Sequence, residues 1–190
     1  MLNRNCKPLS VLAQQKKVGL RDETLTKCNN HRMTVRIAMI CMGNICRSPI
    51  AEHVLRKKAT AAGLNVYIES GGTGGWHAGE PADERAQQVL IAHGYTHKHV
   101  AQQISRTWFD NFDYLIVMDQ HNQHALERIA KSHAHKKKVK LLRSYDATAG
   151  RNAEVPDPYY GGLQDSEDVL AMIERACDGF IAHLHKHHGN

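Results

Sequence analysis

From Val35 to Met42 the chain reads VRIAMICM, apolar except for Arg36. A run that does not alternate predicts a strand buried on both faces. Directly after it, Ile50, Ala51, Val54, Leu55 and Ala59 recur at helical spacing. Ser48 and Pro49 suit the N-cap and first position of that helix, which should end near Gly63. Strand, tight loop and helix thus follow in order, and the alternation recurs downstream. Val66 to Glu69 predicts a second short strand, the five glycines between Gly71 and Gly79 a loop, and Ala82 to His93 a helix. Asp113 to Met118 reads as another buried strand, Asn122 to Ser132 as a helix, and Val139 to Leu142 as a weaker fourth strand. Arg143 to Gly162 shows no period, and a last amphipathic helix is expected from Ser166 to about Lys186. An irregular stretch of that length in a compact domain usually serves a function.

Strands alternating with helices predict an α/β fold. We expect a single-domain, three-layer sandwich with a central four-stranded parallel sheet, helices on both faces, and ligand bound beyond the carboxyl ends of the strands. Residues 1–33 are polar, unpatterned and rich in Lys, Asn and Gln, so they read as a flexible extension to a domain spanning 34–190, with Met33 as an alternative start. No apolar run approaches the roughly 20 residues of a membrane span. The fragments Leu9 to Ala13 and Val18 to Leu20 are too short for a signal-peptide core, which points to the cytoplasm. Five scattered cysteines, Cys6, Cys28, Cys41, Cys46 and Cys177, fit neither a secreted disulfide framework nor a zinc ribbon, so reduced thiols are expected. The net charge of +6 is dispersed except around Lys136 to Lys140 and at the two ends. That distribution fits a solvated surface attracting anionic substrates better than a nucleic-acid footprint.

The chemistry concentrates in Cys41-Met42-Gly43-Asn44-Ile45-Cys46-Arg47-Ser48-Pro49, between the first strand and its helix. A loop this short turns several backbone N–H groups toward one anion, and the helix that follows aims its positive end at the same place, so a phosphate-binding loop is expected after strand 1. A cysteine there, beside an Arg, is favoured as thiolate and acts as a nucleophile. Gly43 permits close backbone approach, Asn44 tolerates the left-handed region, and the Ser48 hydroxyl either holds Cys41 or caps the helix. Arg47 can grip two phosphate oxygens with its planar fork. Phosphoryl transfer to sulfur also needs an acid for the departing oxygen. Asp157, in Val155-Pro156-Asp157-Pro158-Tyr159-Tyr160, is the best candidate, although spacing alone fits an Asp in a Pro-rich turn equally well. Trp76, Tyr159 and Tyr160 are either aromatic walls for a flat substrate or packing residues.

Four segments, ICMGNICRSPIAE, SGGTGGWHAGEPADERA, FDNFDYLIVMDQHN and DPYY, together resemble the low-molecular-weight protein tyrosine phosphatases, in order, from about residue 34 to the C-terminus. The resemblance implies a phosphotyrosine protein phosphatase that works through a phosphocysteine. In it Cys41 attacks phosphorus, Arg47 binds the phosphoryl group, and Asp157 serves as general acid and then base, with no metal and no cofactor. It also implies that Ser48 stabilises Cys41 as thiolate, and that Asn44, Ser70 and His99 hold the loop in shape. His99 read alone is one of fourteen histidines and equally a surface residue. Cys46 resembles the second loop cysteine that makes the family redox-sensitive through a reversible disulfide with the nucleophile. Ile45 favours phosphotyrosine, because the related protein-arginine phosphatases carry Thr at the matching place. Gln102 departs from the Arg that many relatives have there. The implied partners are phosphotyrosine proteins and a cognate tyrosine kinase, neither nucleic acid nor membrane, with the chain a monomer or weak dimer. A thiol-linked arsenate reductase is the competing enzyme reading. It requires further relay cysteines, and between Arg47 and Ala176 there are none. The histidines at 183, 185, 187 and 188 read as a solvated helical tail or an adventitious metal site.

Overall fold

The structure, a computed structural model, describes residues 34–188. The extension expected over residues 1–33 lies outside the described residues, as do Cys6 and Cys28. Four parallel strands, β1 (Val35–Cys41), β2 (Val66–Gly72), β3 (Tyr114–Val117) and β4 (Val139–Leu141), pair in the order β2-β1-β3-β4. Among the described residues six α-helices accompany them: α1 (Arg47–Ala61), α2 (Glu84–Ala92), α3 (Trp108–Asn111), α4 (Gln120–Ile129), α5 (His133–Lys138) and α6 (Leu163–His188). A 3-10 turn, Leu142–Tyr145, follows β4.

The apolar run of β1, interrupted only by the exposed Arg36, has the expected cause. Ile37, Met39 and Cys41 face one core with Ile50, Val54, Leu170 and Phe180 from α1 and α6, while Ala38 and Ile40 face a second core with Phe109 and Leu126 from α3 and α4. The sheet is therefore covered on both sides, giving the predicted three layers. Because β1 lies between β2 and β3, connections leave it on both sides and open a crevice at its carboxyl end. Cys41 is the last residue of that strand. Among the described residues, no helix is long and apolar enough to cross a membrane.

Several boundaries differ from the sequence reading. β2 continues through Gly71 and Gly72, which were expected in a loop. These glycines serve close approach: a Cβ at Gly71 would lie 2.5 Å from Ile104 and 2.8 Å from Trp108, and one at Gly72 would lie 2.8 Å from the carbonyl oxygens of Met42 and Gly74. The helix expected to run to Ser132 stops at Ile129, because Ser132 instead caps α5 by accepting the His135 N–H at 3.1 Å. The helices α3 and α5 and the 3-10 turn were not expected. Helix α6 presses on that turn, and a Cβ at Gly179 would come 1.8 Å from the Tyr145 carbonyl oxygen. Gly179→Ala is accordingly expected to destabilise the fold by roughly 1–3 kcal/mol despite its better helix propensity. A thermal melt checks this; an unchanged midpoint would mean that α6 shifts off Tyr145 without cost.

Candidate active site

The turn between β1 and α1 is fixed from inside by one asparagine. Asn44 takes a left-handed backbone, φ 58°, which Asn tolerates better than most residues. Its amide nitrogen donates to Ser48 Oγ and to Ser70 Oγ, each at 2.9 Å; its side-chain oxygen accepts the Gln102 N–H at 2.9 Å; its carbonyl accepts from His99 Nε2 at 2.7 Å. Ser70 Oγ in turn donates to Glu52 Oε2 at 2.5 Å, and Gln102 Nε2 donates to the Ser70 carbonyl at 3.0 Å. His99 is a buried support rather than a surface residue, with its side chain 5% exposed. Burial holds its imidazole below the usual range, against the carbonyl of Asn44 and Glu52, so it is neutral at pH 7 and donates from Nε2. Gln102 thus contributes backbone and side-chain hydrogen bonds to the same scaffold.

The sulfur of Cys41 sits inside this frame. It accepts the Asn44 N–H at 3.2 Å and lies 3.0 Å from Ser48 Oγ. Asn44 already donates to that oxygen, which leaves the hydroxyl proton for the sulfur. Ser48 is therefore not the helix cap that the sequence suggested: α1 begins at Arg47, and Cys46 at the N-cap position makes no side-chain capping bond. Cys46 is buried beside Ile45 and Ala101. Burial first, then the charges of Asp83, Cys41 and Asp157, push its thiol up to about 12, so it stays protonated at neutral pH.

Arg47 is 2% exposed and held from three sides. One terminal nitrogen donates to Asp119 at 2.5 Å and to the Val155 carbonyl at 3.2 Å; the other meets Asp157 at 2.6 Å. Its Nε is buried with no protein partner. Burial opposes the charge, but Cys41, Asp157 and Asp119 outweigh it and hold the guanidinium above its ordinary value. Asp119 is the site residue that the sequence reading did not single out. It follows β3 and caps α4 by accepting the Asn122 N–H at 2.6 Å. An acidic cap at the carboxyl end of a central strand was the available signal.

Asp157 arrives on the irregular stretch, which is fastened at two points. The Val155 N–H donates to the Met118 carbonyl at 2.8 Å. Arg85 donates to the carbonyls of Tyr159, at 2.9 Å, and of Gly161, while also bonding Asp83, whose carboxyl it holds below the usual range. The Asp83 N–H donates to the Ile45 carbonyl at 2.8 Å, so one bracket joins the Cys41 loop to the Asp157 loop.

Between them lies a cleft of about 580 Å³. Cys41, Met42, Gly43, Ile45, Cys46 and Arg47 line it with Asp157, and Trp76, His77, Tyr159 and Tyr160 complete it. The three predicted aromatics thus stand at the cleft rather than in the core. Tyr160 is 96% exposed, and Tyr159 meets it edge to face with ring centroids 5.0 Å apart. His77, also missed in the sequence, covers Gly43 and bonds Glu80 at 2.6 Å. Asn44, Ser48, Ser70 and His99 lie beneath the loop as support. Among the described residues no three His, Cys, Asp or Glu side chains gather as a metal site, and the His183 and His187 rings lie tilted by 41° with centroids 4.3 Å apart.

A family profile described as low molecular weight phosphotyrosine protein phosphatase matches residues 36–190. A low molecular weight protein-tyrosine-phosphatase of Streptomyces coelicolor is 48% identical over 153 residues, 79% of this chain and 93% of the relative. The human low molecular weight phosphotyrosine protein phosphatase is 39% identical over 155 residues, 80% of this chain and 97% of the relative. Among solved structures, a protein tyrosine phosphatase from Entamoeba histolytica with Hepes in its active site superposes with a TM-score of 0.77 at 33% identity, covering 81% of this chain and 99% of that one. With its Cys41-to-Arg47 loop, its parallel sheet and these relatives, the chain belongs to the low molecular weight phosphotyrosine protein phosphatase family.

Proposed function

We propose that the chain hydrolyses phosphotyrosine in proteins, and small aryl phosphates, through a phosphocysteine intermediate. The observation that carries this reading is the convergence of Cys41, Arg47 and Asp157 on one cleft, with a buried guanidinium N–H that no protein group satisfies. An entering phosphoryl dianion competes with Asp157 for Arg47, while Asp119 holds the guanidinium from behind. The Cys41 sulfur attacks phosphorus, the bond from phosphorus to the tyrosine oxygen breaks, and the released Asp157 carboxyl gives that oxygen its proton. The Asn44 N–H and the Ser48 hydroxyl favour negative charge on the sulfur before attack and again when it departs. In the second step Asp157 takes a proton from water, the water oxygen attacks phosphorus, the S–P bond breaks, and inorganic phosphate leaves.

The aromatic side chains around the cleft suit a phenyl ring standing above the phosphate. The arsenate reductase reading loses support here. Cys177 is fully buried and its thiol is pushed up by that burial, leaving Cys46 as the only other cleft thiol among the described residues. Cys46 is in turn the thiol with which an oxidised Cys41 would condense to a disulfide. In this reading the chain meets phosphotyrosine proteins, products of a tyrosine kinase, in the cytoplasm as a monomer or weak dimer, through a catalytic domain of residues 34–190 with 1–33 as an extension. The test is release of phosphate from an aryl phosphate and from a phosphotyrosine peptide, in reductant and chelator, with a phosphoserine peptide as control. Turnover of the first two alone is expected; no turnover of either overturns the proposal.

A further inference from the structure

A second cavity, of about 380 Å³, borders one end of the strip of residues 73–76, whose other end, Trp76, lines the cleft. The two are close. The Thr73 N–H donates to the Cys41 carbonyl at 2.9 Å, and the Gly74 N–H donates to that of Met42 at 2.9 Å. Thr73 lines the second cavity and Trp76 the first, three residues and so at most about 10 Å apart. Gln103 ties the strip down through its 3.3 Å bond to the Thr73 carbonyl, and its side chain occupies the space that a Cβ on Gly75 would need.

The lining has one sign of charge. Arg106, ahead of α3, and Arg128, in the last turn of α4, both border the cavity, and no Asp or Glu does. Both arginines are exposed, and neither is paired with a carboxylate among the described residues. Ile104, Ala125 and Ile129 give the cavity an apolar lining. Two unpaired guanidinium forks over an apolar surface suit a carboxylate on a short hydrocarbon stem.

We propose that this cavity is a docking site for an acidic side chain of the substrate, two or three residues from the phosphotyrosine in the sequence. The proposal rests on the phosphatase reading and adds to it a preference for acidic flanking sequence. An extended peptide advances about 3.3 Å per residue, so such a side chain reaches across the 73–76 strip while the phosphotyrosine occupies the Cys41 cleft.

The experiment compares kcat/KM for three phosphotyrosine peptides of equal length, with Glu at the two positions second and third before the phosphotyrosine, Glu at the second and third after it, or Ala at all four. One of the two acidic peptides is expected to be preferred by about 3- to 10-fold at low salt, less at high ionic strength. In the full chain carrying Arg106→Gln and Arg128→Gln that preference should vanish, and with Arg106→Glu and Arg128→Glu it should invert. Hydrolysis of an aryl phosphate should stay unchanged in both variants, which also reports that they fold. Equal rates on all three peptides overturn the proposal. So does a preference that survives both double substitutions, which would assign it to the overall charge of +6. If the unsubstituted chain fails on the aryl phosphate itself, the phosphatase reading fails instead.

Discussion

Replacing Cys41 with Ser is expected to lower turnover of an aryl phosphate by at least about 10⁴-fold while the protein still binds inorganic phosphate. The two halves of this result have separate causes. The Asn44 N–H and the Ser48 hydroxyl lie 3.2 and 3.0 Å from the Cys41 sulfur, and a serine hydroxyl in the same place is a far poorer nucleophile than a cysteine sulfur. The anion contacts do not involve that side chain. They would come from the loop backbone, held by the Asn44 side chain, and from Arg47, set by Asp119; a serine oxygen can still accept the Asn44 N–H that the sulfur accepts, so both supports remain. Steady-state rates with calorimetric phosphate titration check both halves. A variant that kept more than about a hundredth of the rate would remove Cys41 from the nucleophile's role. Equal loss of phosphate binding and of folded structure would show that the sulfur supports the loop instead.

The sequence revealed most clearly what is encoded locally. A buried parallel strand is a nearly continuous apolar run, so β1 was found to within one residue despite Arg36, and the loop after it was legible because Cys41 and Arg47 are close in the chain. Helices α3 and α5, of four and six residues, are too short to display a 3.6-residue period, and the second of them is a polar segment with no buried residue at all. Gly71 and Gly72 were misread because their glycine character answers to Trp108, Ile104 and the Met42 carbonyl, none of which is a sequence neighbour. Asp119 escaped for the same reason. Its distance from Arg47 is set by the pairing of β1 with β3, across 72 positions in the chain. Ser48 shows the limit of a local rule: Ser before Pro is good capping chemistry, but here Asn44 and Cys41 claim the hydroxyl.

Asp157→Ala is expected to lower kcat by about 10²- to 10³-fold on a phenyl phosphate, with little change in KM, and by much less on an aryl phosphate whose phenol is strongly acidic. A phenol with a pKa near 10 needs a proton as its bond to phosphorus breaks, whereas an acidic phenol departs as an anion. The Arg47 contact makes the substitution informative in a second way. Asp157 occupies one guanidinium nitrogen at 2.6 Å, and its side chain is 41% exposed, so removing it frees a donor at the cleft without opening a hole in the core. Inorganic phosphate no longer has to displace a carboxylate there, and its inhibition constant should fall or hold steady. Asp157→Asn separates the two roles, since the amide oxygen can still accept from Arg47 but the group no longer delivers a proton. The Asn variant should therefore share the leaving-group dependence of the Ala variant while binding phosphate more like the parent. A rate loss that is the same for every leaving group, and is recovered by Asn, would mean that Asp157 only orients Arg47 and that the leaving oxygen receives its proton from elsewhere.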